Sequence, residues 1–157
     1  MKTLILYATK YGATKEIAER IGKSLDDVVL YDIKAGQIPS LSDYDCIIIG
    51  SSLYAGSIRK EAKDYLIKNE ECLKSKKIGL FLSGMSEGEA NEAFKNNFPV
   101  SILENAKVKA LLGGIFDPGK AGALARFIIK IITKQSGYFN NINDEKIDKF
   151  VNDLNWI

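Results

Sequence analysis

Lys2-Thr3-Leu4-Ile5-Leu6-Tyr7-Ala8-Thr9-Lys10-Tyr11-Gly12-Ala13-Thr14 is the stretch whose reading decides the fold. Its first seven residues form a short apolar run of the kind that fills a strand buried on both faces. The period then changes. Ile17, Ile21 and Leu25 recur every four residues, with Glu16, Glu19, Arg20 and Lys23 on other faces, so an amphipathic helix is predicted over Thr14–Leu25. Thr14 is placed to serve as its N-cap.

The same alternation runs outward from there. Val28 to Tyr31 reads as a second strand, followed by a loop from Ala35 to Asp43 that carries Gly, Pro and Ser. Cys46-Ile47-Ile48-Ile49 is the most apolar strand and ends at Gly50. Ile58, Ala62, Tyr65 and Leu66 mark a second helix, and Ile78 to Leu82 a fourth strand that stops at Ser83-Gly84. A weaker helix is expected over Asn91–Phe98, and a fifth strand over Lys107–Phe116, ending before Asp117-Pro118-Gly119. Leu124–Lys134 reads as helix, and Asp144 as the cap of a last helix whose inward face is Ile147, Phe150, Val151 and Leu154. Strands alternating with helices imply an α/β fold, here a doubly wound five-stranded parallel sheet in the order 2-1-3-4-5. One domain is expected over residues 1–157. In this order a ligand crevice lies at the carboxyl ends of strands one and three, where the winding reverses. Thr9 to Thr14 and Gly50 to Gly56 should meet there.

Composition narrows the chemistry. The chain has no histidine, which removes Ser-His-Asp and Cys-His catalysis and makes a transition-metal site an unexpected one. Neither a metal nor a catalytic side chain is therefore expected. Cys46 and Cys72 are the only cysteines and have no CxxC spacing; Cys46 reads as a small buried hydrophobe. The formal net charge of +2 carries no uniform basic character, and no nucleic-acid partner is expected. Leu4-Ile5-Leu6-Tyr7 is too short for a signal-peptide core and runs into a Gly-containing loop, so the expected location is cytoplasmic.

Three loops carry the candidate site. Thr9-Lys10-Tyr11-Gly12-Ala13-Thr14 joins a buried strand to a helix N-terminus, where exposed amides and the helix dipole favour a phosphate. Thr9 and Thr14 add hydroxyls, Gly12 permits close approach, and no carboxylate lies within the loop. Taken alone, the same residues also suit an ordinary capped strand–helix turn. Neither GxxxxGK nor GxGxxG is present, and the ends of strands one and three lack the acidic residues of a phosphoacceptor site. In the second loop, Gly50-Ser51-Ser52-Leu53-Tyr54-Ala55-Gly56, two glycines bracket an aromatic that can stack on a planar ring while its hydroxyl stays wet. The third loop, Ser83-Gly84-Met85-Ser86-Glu87-Gly88, can pass backbone amides along the ring's edge; Glu87 and Glu89 read as solvated charges.

The first two loops, at this spacing behind their strands, resemble those of the flavodoxin family, and the resemblance covers essentially the whole chain. It implies that Thr9 to Thr14 hold the phosphate of flavin mononucleotide (FMN). Ser51, Ser52, Leu53, Tyr54, Ala55 and Gly56 would flank the isoalloxazine, with Tyr54 against the ring, and Ser83, Gly84 and Met85 would follow its pyrimidine edge. Small electron-shuttle members are strongly acidic, whereas this chain is slightly basic, and its third loop lacks the aromatic that often stacks on the ring's other face.

A further segment departs from the shuttles. On a helical wheel Arg126, Lys130 and Lys134 form one stripe, while Leu124, Phe127, Ile128, Ile129, Ile131 and Ile132 fill a wide apolar arc. Such a helix can bury itself on the sheet, or offer an apolar surface with basic flanks to a membrane interface, a quinone or a hydrophobic anionic substrate. In this it is similar to the flavodoxin-type protoporphyrinogen dehydrogenases, which carry such a helix after strand five, ending near a glycine, here Gly137. That resemblance implies an FMN-dependent oxidoreductase acting on a porphyrin-like molecule with a quinone acceptor, and peripheral membrane contact through Leu124–Lys134. The alternatives are an electron carrier that docks on redox partner proteins, and a regulatory domain that keeps the fold without flavin.

Overall fold

The computed structural model describes residues 1–117, 119, 122 and 138–155. Strand β1 (Thr3–Ala8) is buried at every position. Strands β2 (Val28–Asp32) and β3 (Cys46–Tyr54) flank it in parallel. β5 (Lys77–Ser83) pairs with β3 and β6 (Ala106–Leu111) with β5, again in parallel, so the sheet runs β2-β1-β3-β5-β6. Counting the five parallel strands alone, this is the doubly wound order 2-1-3-4-5.

Alternation along these strands divides the core into two layers. Leu4, Leu6, Ile47, Ile49, Leu80 and Leu82 face one side. They pack there against Ala62 and Leu66 of α2 (Lys60–Lys68), Leu73 of α3 (Glu70–Leu73), Phe94 of α4 (Ala90–Asn97) and Ile102 of α5 (Val100–Asn105). Ile5, Ile48 and Phe81 face the other side, under Ile17, Ala18 and Ile21 of α1 (Ala13–Lys23) and Ile147, Phe150, Val151 and Leu154 of α6 (Asp144–Asn155). Both faces are covered, which is why these strands read as apolar runs rather than as alternating ones. Phe81 needs the space above Gly50: a Cβ on Gly50 would fall 2.0 Å from its ring.

Several sequence expectations are corrected. Gly12, in the left-handed region at φ +102°, caps α1 in place of Thr14, which lies inside the helix and is fully buried. The helix ends at Lys23, two residues before the expected Leu25. Gly50 does not end the third strand. β3 continues to Tyr54 because Ser52 still pairs with Ser83 and Tyr54 pairs with Ser57 of the short antiparallel β4 (Ser57–Ile58). Ile58 accordingly belongs to that hairpin and not to α2. The fifth strand stops at Leu111, since the chain turns at Gly113 with φ +91°, where a Cβ would stand 2.1 Å from the Asn141 carbonyl oxygen. Residues 115–116 then form a separate two-stranded ribbon, β7 (Ile115–Phe116) with β8 (Phe139–Asn140). α5 was not expected; it starts directly after Pro99, which has no N–H to lose at a helix start. Asn143, rather than Asp144, caps α6, its Oδ1 accepting from the Lys146 N–H at 3.0 Å. The helix expected over Leu124–Lys134 lies outside the described residues.

Candidate functional site

At the carboxyl ends of β1 and β3, where the winding reverses, the chain leaves a cleft of about 550 Å3, its open mouth included. Its floor is the β1–α1 turn. The Gly12 N–H donates to Thr9 Oγ1 at 2.8 Å, which fixes the turn, and the first backbone bond of α1 is from Glu16 N–H to the Gly12 carbonyl at 3.1 Å. The amides of Ala13, Thr14 and Lys15 therefore have no intrahelical partner and form the positive end of α1. Thr9, Lys10, Tyr11 and Ala13 line the cleft on this side.

The opposite side is apolar and aromatic. Ser52, Leu53 and Tyr54 line it from the end of β3, and Ser83, Gly84 and Met85 from the end of β5. Gly114, Ile115 and Phe116 complete the lining. Phe116 is nearly fully buried, with Tyr54, Met85 and Phe139 packed against it. Met85 thus sits among aromatic rings, a favourable setting for a thioether.

Backbone bonds hold these walls together. The Gly84 N–H donates to the Gly113 carbonyl at 3.0 Å, and the Gly114 N–H to Asn141 Oδ1 at 2.7 Å. The Asn141 N–H donates back to the Gly114 carbonyl at 2.9 Å. The Tyr54 hairpin turns through Ala55 and Gly56, both at positive φ (49° and 78°), as a two-residue turn with two left-handed centres demands. Buried Asn97 secures that turn, accepting from the Ile58 N–H at 3.1 Å and donating to the carbonyls of Gly56 and Ala93 at 2.8 Å each.

The residues singled out from sequence thus divide. Thr9, Lys10, Tyr11, Ala13, Ser52, Leu53, Tyr54, Ser83, Gly84 and Met85 are brought together around the cleft. Gly12, Thr14, Ser51, Ala55 and Gly56 stand behind it. The Thr14 and Ser83 hydroxyls are bonded to each other at 2.7 Å, joining the start of α1 to the end of β5. Ser51 is buried, and its Oγ accepts from the Arg59 N–H at 2.9 Å. Gly114, Ile115, Phe116, Asn97 and Asn141 were not anticipated. The Gly113-Gly114 pair interrupting an apolar run was the available signal for the first three.

Electrostatically the lining is one-sided. Lys10 Nζ stands 3.6 Å from the centroid of the Tyr54 ring and 5.3 Å from that of Tyr11. Among the described residues, the lining contains no Asp or Glu. Glu87, outside this lining, pairs with Lys146. Burial pushes the Cys46 thiol up to about 11 and the Tyr65 hydroxyl up to about 12, and both lie outside the cleft.

A phosphate-bearing planar cofactor suits this donor set. The N-terminal end of α1 offers backbone amides suited to a phosphate, and Leu53, Tyr54, Met85 and Phe116 offer apolar, aromatic and thioether surface suited to a flat ring. No described helix is long and apolar enough to cross a membrane.

Comparison with known proteins follows the same lines. Protoporphyrinogen IX dehydrogenase [quinone] of Escherichia coli K12 is 25% identical over 147 residues, covering 87% of this chain and 81% of that protein. Flavodoxin 2 of Bacillus cereus is 29% identical, covering 86% of this chain and 100% of its own, with a TM-score of 0.56. A short-chain flavodoxin associated with a bacterial microcompartment is 17% identical and covers 98% and 97% of the two chains; its TM-score of 0.62 speaks for a shared fold. The family model described as "Flavodoxin domain" matches residues 4–143, and the chain belongs to that family.

Proposed function

We propose that the cleft holds FMN and that the protein is an FMN-dependent oxidoreductase, acting on a protoporphyrinogen-like reductant with a quinone as acceptor. The observation that carries this reading is the union, in one cleft, of the turn that opens α1 (Thr9, Lys10, Tyr11 and Ala13) on one side with Tyr54, Met85 and Phe116 on the other. Membership of the flavodoxin-domain family supports FMN as the cofactor. When bound, FMN supplies the electron transfer, and the protein supplies binding, orientation and exclusion of water. The amides of Ala13, Thr14 and Lys15 would take the phosphate, and Tyr54 and Leu53 would face the ring.

The substrate class is supported by the apolar wall. Phe116, which lines the cleft, pairs with Phe139 in the β7–β8 ribbon. Between these two residues in sequence lies the basic and apolar run Leu124–Lys134, which we assign to contact with a membrane surface that holds quinone. A second reading, a carrier without its own substrate, is supported by the 29% identity to Flavodoxin 2 of Bacillus cereus over 86% of this chain.

An FMN titration followed by flavin fluorescence tests the first step, and an absence of binding would overturn both readings. Anaerobic assays with protoporphyrinogen and a quinone then separate them: turnover supports the enzyme, and FMN binding without turnover on any quinone supports the carrier. For the membrane contact, replacing Arg126 and Lys130 by Glu should weaken sedimentation with anionic liposomes and leave FMN affinity unchanged. Absence of liposome binding by the parent protein would remove that assignment.

A further inference from the structure

Lys10 stands where the two halves of the cleft meet. It belongs to the β1–α1 turn, directly after Thr9, on the side that faces a phosphate. Its side chain nevertheless crosses to the other side, where Nζ lies 3.6 Å from the Tyr54 ring centroid. An ammonium over an aromatic face is an attractive pairing, and here it links the phosphate-side turn to the ring-side wall. Among the described residues that line the cleft, Lys10 alone carries a formal charge. An anion formed in this cleft therefore meets a cation with no competing carboxylate in the lining.

Reduction of FMN forms such an anion. At neutral pH the ring takes up two electrons and one proton, so it gains one negative charge, in addition to the phosphate it already carries. With Nζ over one face of Tyr54, a ring stacked on the face that Lys10 leaves open would still lie within range of that ammonium's charge.

We propose that Lys10 makes the site bind reduced FMN more tightly than oxidised FMN, and so raises the cofactor's reduction potential, instead of serving as a phosphate ligand. The inference rests on the reading that the cleft holds FMN. At a separation of ~6 Å and an effective dielectric between those of the protein surface and bulk water, one unit charge favours the reduced state about tenfold. For a two-electron couple a tenfold ratio corresponds to about 30 mV.

The test uses the full chain and its Lys10→Met and Lys10→Arg variants. Oxidised FMN and riboflavin affinities are read by fluorescence titration. The potential of the FMN-loaded protein is read by equilibration with a reference dye, with electrons supplied enzymatically under anaerobic conditions. Lys10→Met should lower the potential by the equivalent of about tenfold in the binding ratio, and Lys10→Arg should restore most of it. If Lys10→Met weakens FMN binding but leaves riboflavin binding and the potential unchanged, Lys10 is a phosphate ligand and the proposal is overturned. An unchanged potential with unchanged affinities overturns it equally. Failure of the parent chain to bind FMN would instead remove the cofactor reading itself, and this inference with it.

Discussion

Thr14 and Ser83 offer a sharp test of how the two sides of the cleft are joined. Their hydroxyls are 2.7 Å apart in residues that are 0% and 3% exposed, and each satisfies the other. Thr14→Val preserves shape and removes one partner, leaving the Ser83 hydroxyl buried without a bond. Such an orphan costs about 1–3 kcal/mol. Ser83→Ala orphans Thr14 in the same way. With both changes in one chain no orphan remains, and replacing both partners by apolar groups is close to neutral. The double variant should therefore lose only ~1 kcal/mol, against ~4 kcal/mol for two independent losses of ~2 kcal/mol, a coupling of ~3 kcal/mol at the upper end of the range measured for contacting residues. Urea denaturation followed by circular dichroism reads this directly. With a slope of ~2 kcal/mol per molar, each single variant should move the midpoint down by ~1 M. Strict additivity in the double variant, or single losses below ~0.5 kcal/mol, would refute the view that this bond clamps α1 to β5.

Three further outcomes are expected. Gly50→Ala puts a Cβ 2.0 Å from the Phe81 ring, and overpacking of this kind should cost ~1–3 kcal/mol in the same denaturation assay, less when Phe81→Leu clears the space. Asn97→Ala removes two hydrogen bonds to the Tyr54 hairpin and one to the Ala93 carbonyl of its own helix; a loss of ~2–3 kcal/mol together with weaker FMN binding is expected, and undisturbed affinity would show that the hairpin keeps its shape without them. A thiol reagent under mildly alkaline native conditions should label Cys72 alone, because Cys72 is exposed whereas Cys46 is buried with its thiol pushed up to about 11, and both should react in denaturant; mass spectrometry of the labelled peptides decides it.

Fold and site differ in how far they could be read in advance. The parallel sheet was legible because a strand buried on both faces has to be an apolar run, and β1 and β3 are such runs through Ala8 and Ile49. Helix α1 was legible because Ile17 and Ile21 recur at helical spacing and both face β1 and β3. Boundaries were less so. Thr14 has the chemistry of a cap, but Gly12 alone tolerates the left-handed conformation that the turn needs, which shifts the helix start. α5 is short and carries a single fully buried side chain, Ile102, so it left no periodic pattern to recognise.

By itself the sequence determined the order of elements, the place where the winding reverses and the two loops that meet there. Those properties follow from local period and from the handedness of strand–helix–strand connections, which apply before any particular contact is made. Only the tertiary structure decided how the loop hydroxyls are paired: Thr14 binds Ser83, Ser51 binds Arg59, and Ser52 is left without a partner. It alone supplied Phe116 and Gly114 to the lining, because their approach depends on Gly113 and Asn141 meeting across 28 positions of chain. It also turned Lys10, which in the sequence is a cation in a phosphate loop, toward the face of Tyr54. Contacts of that range are set by how the layers close on one another, and the local pattern of residues does not carry them.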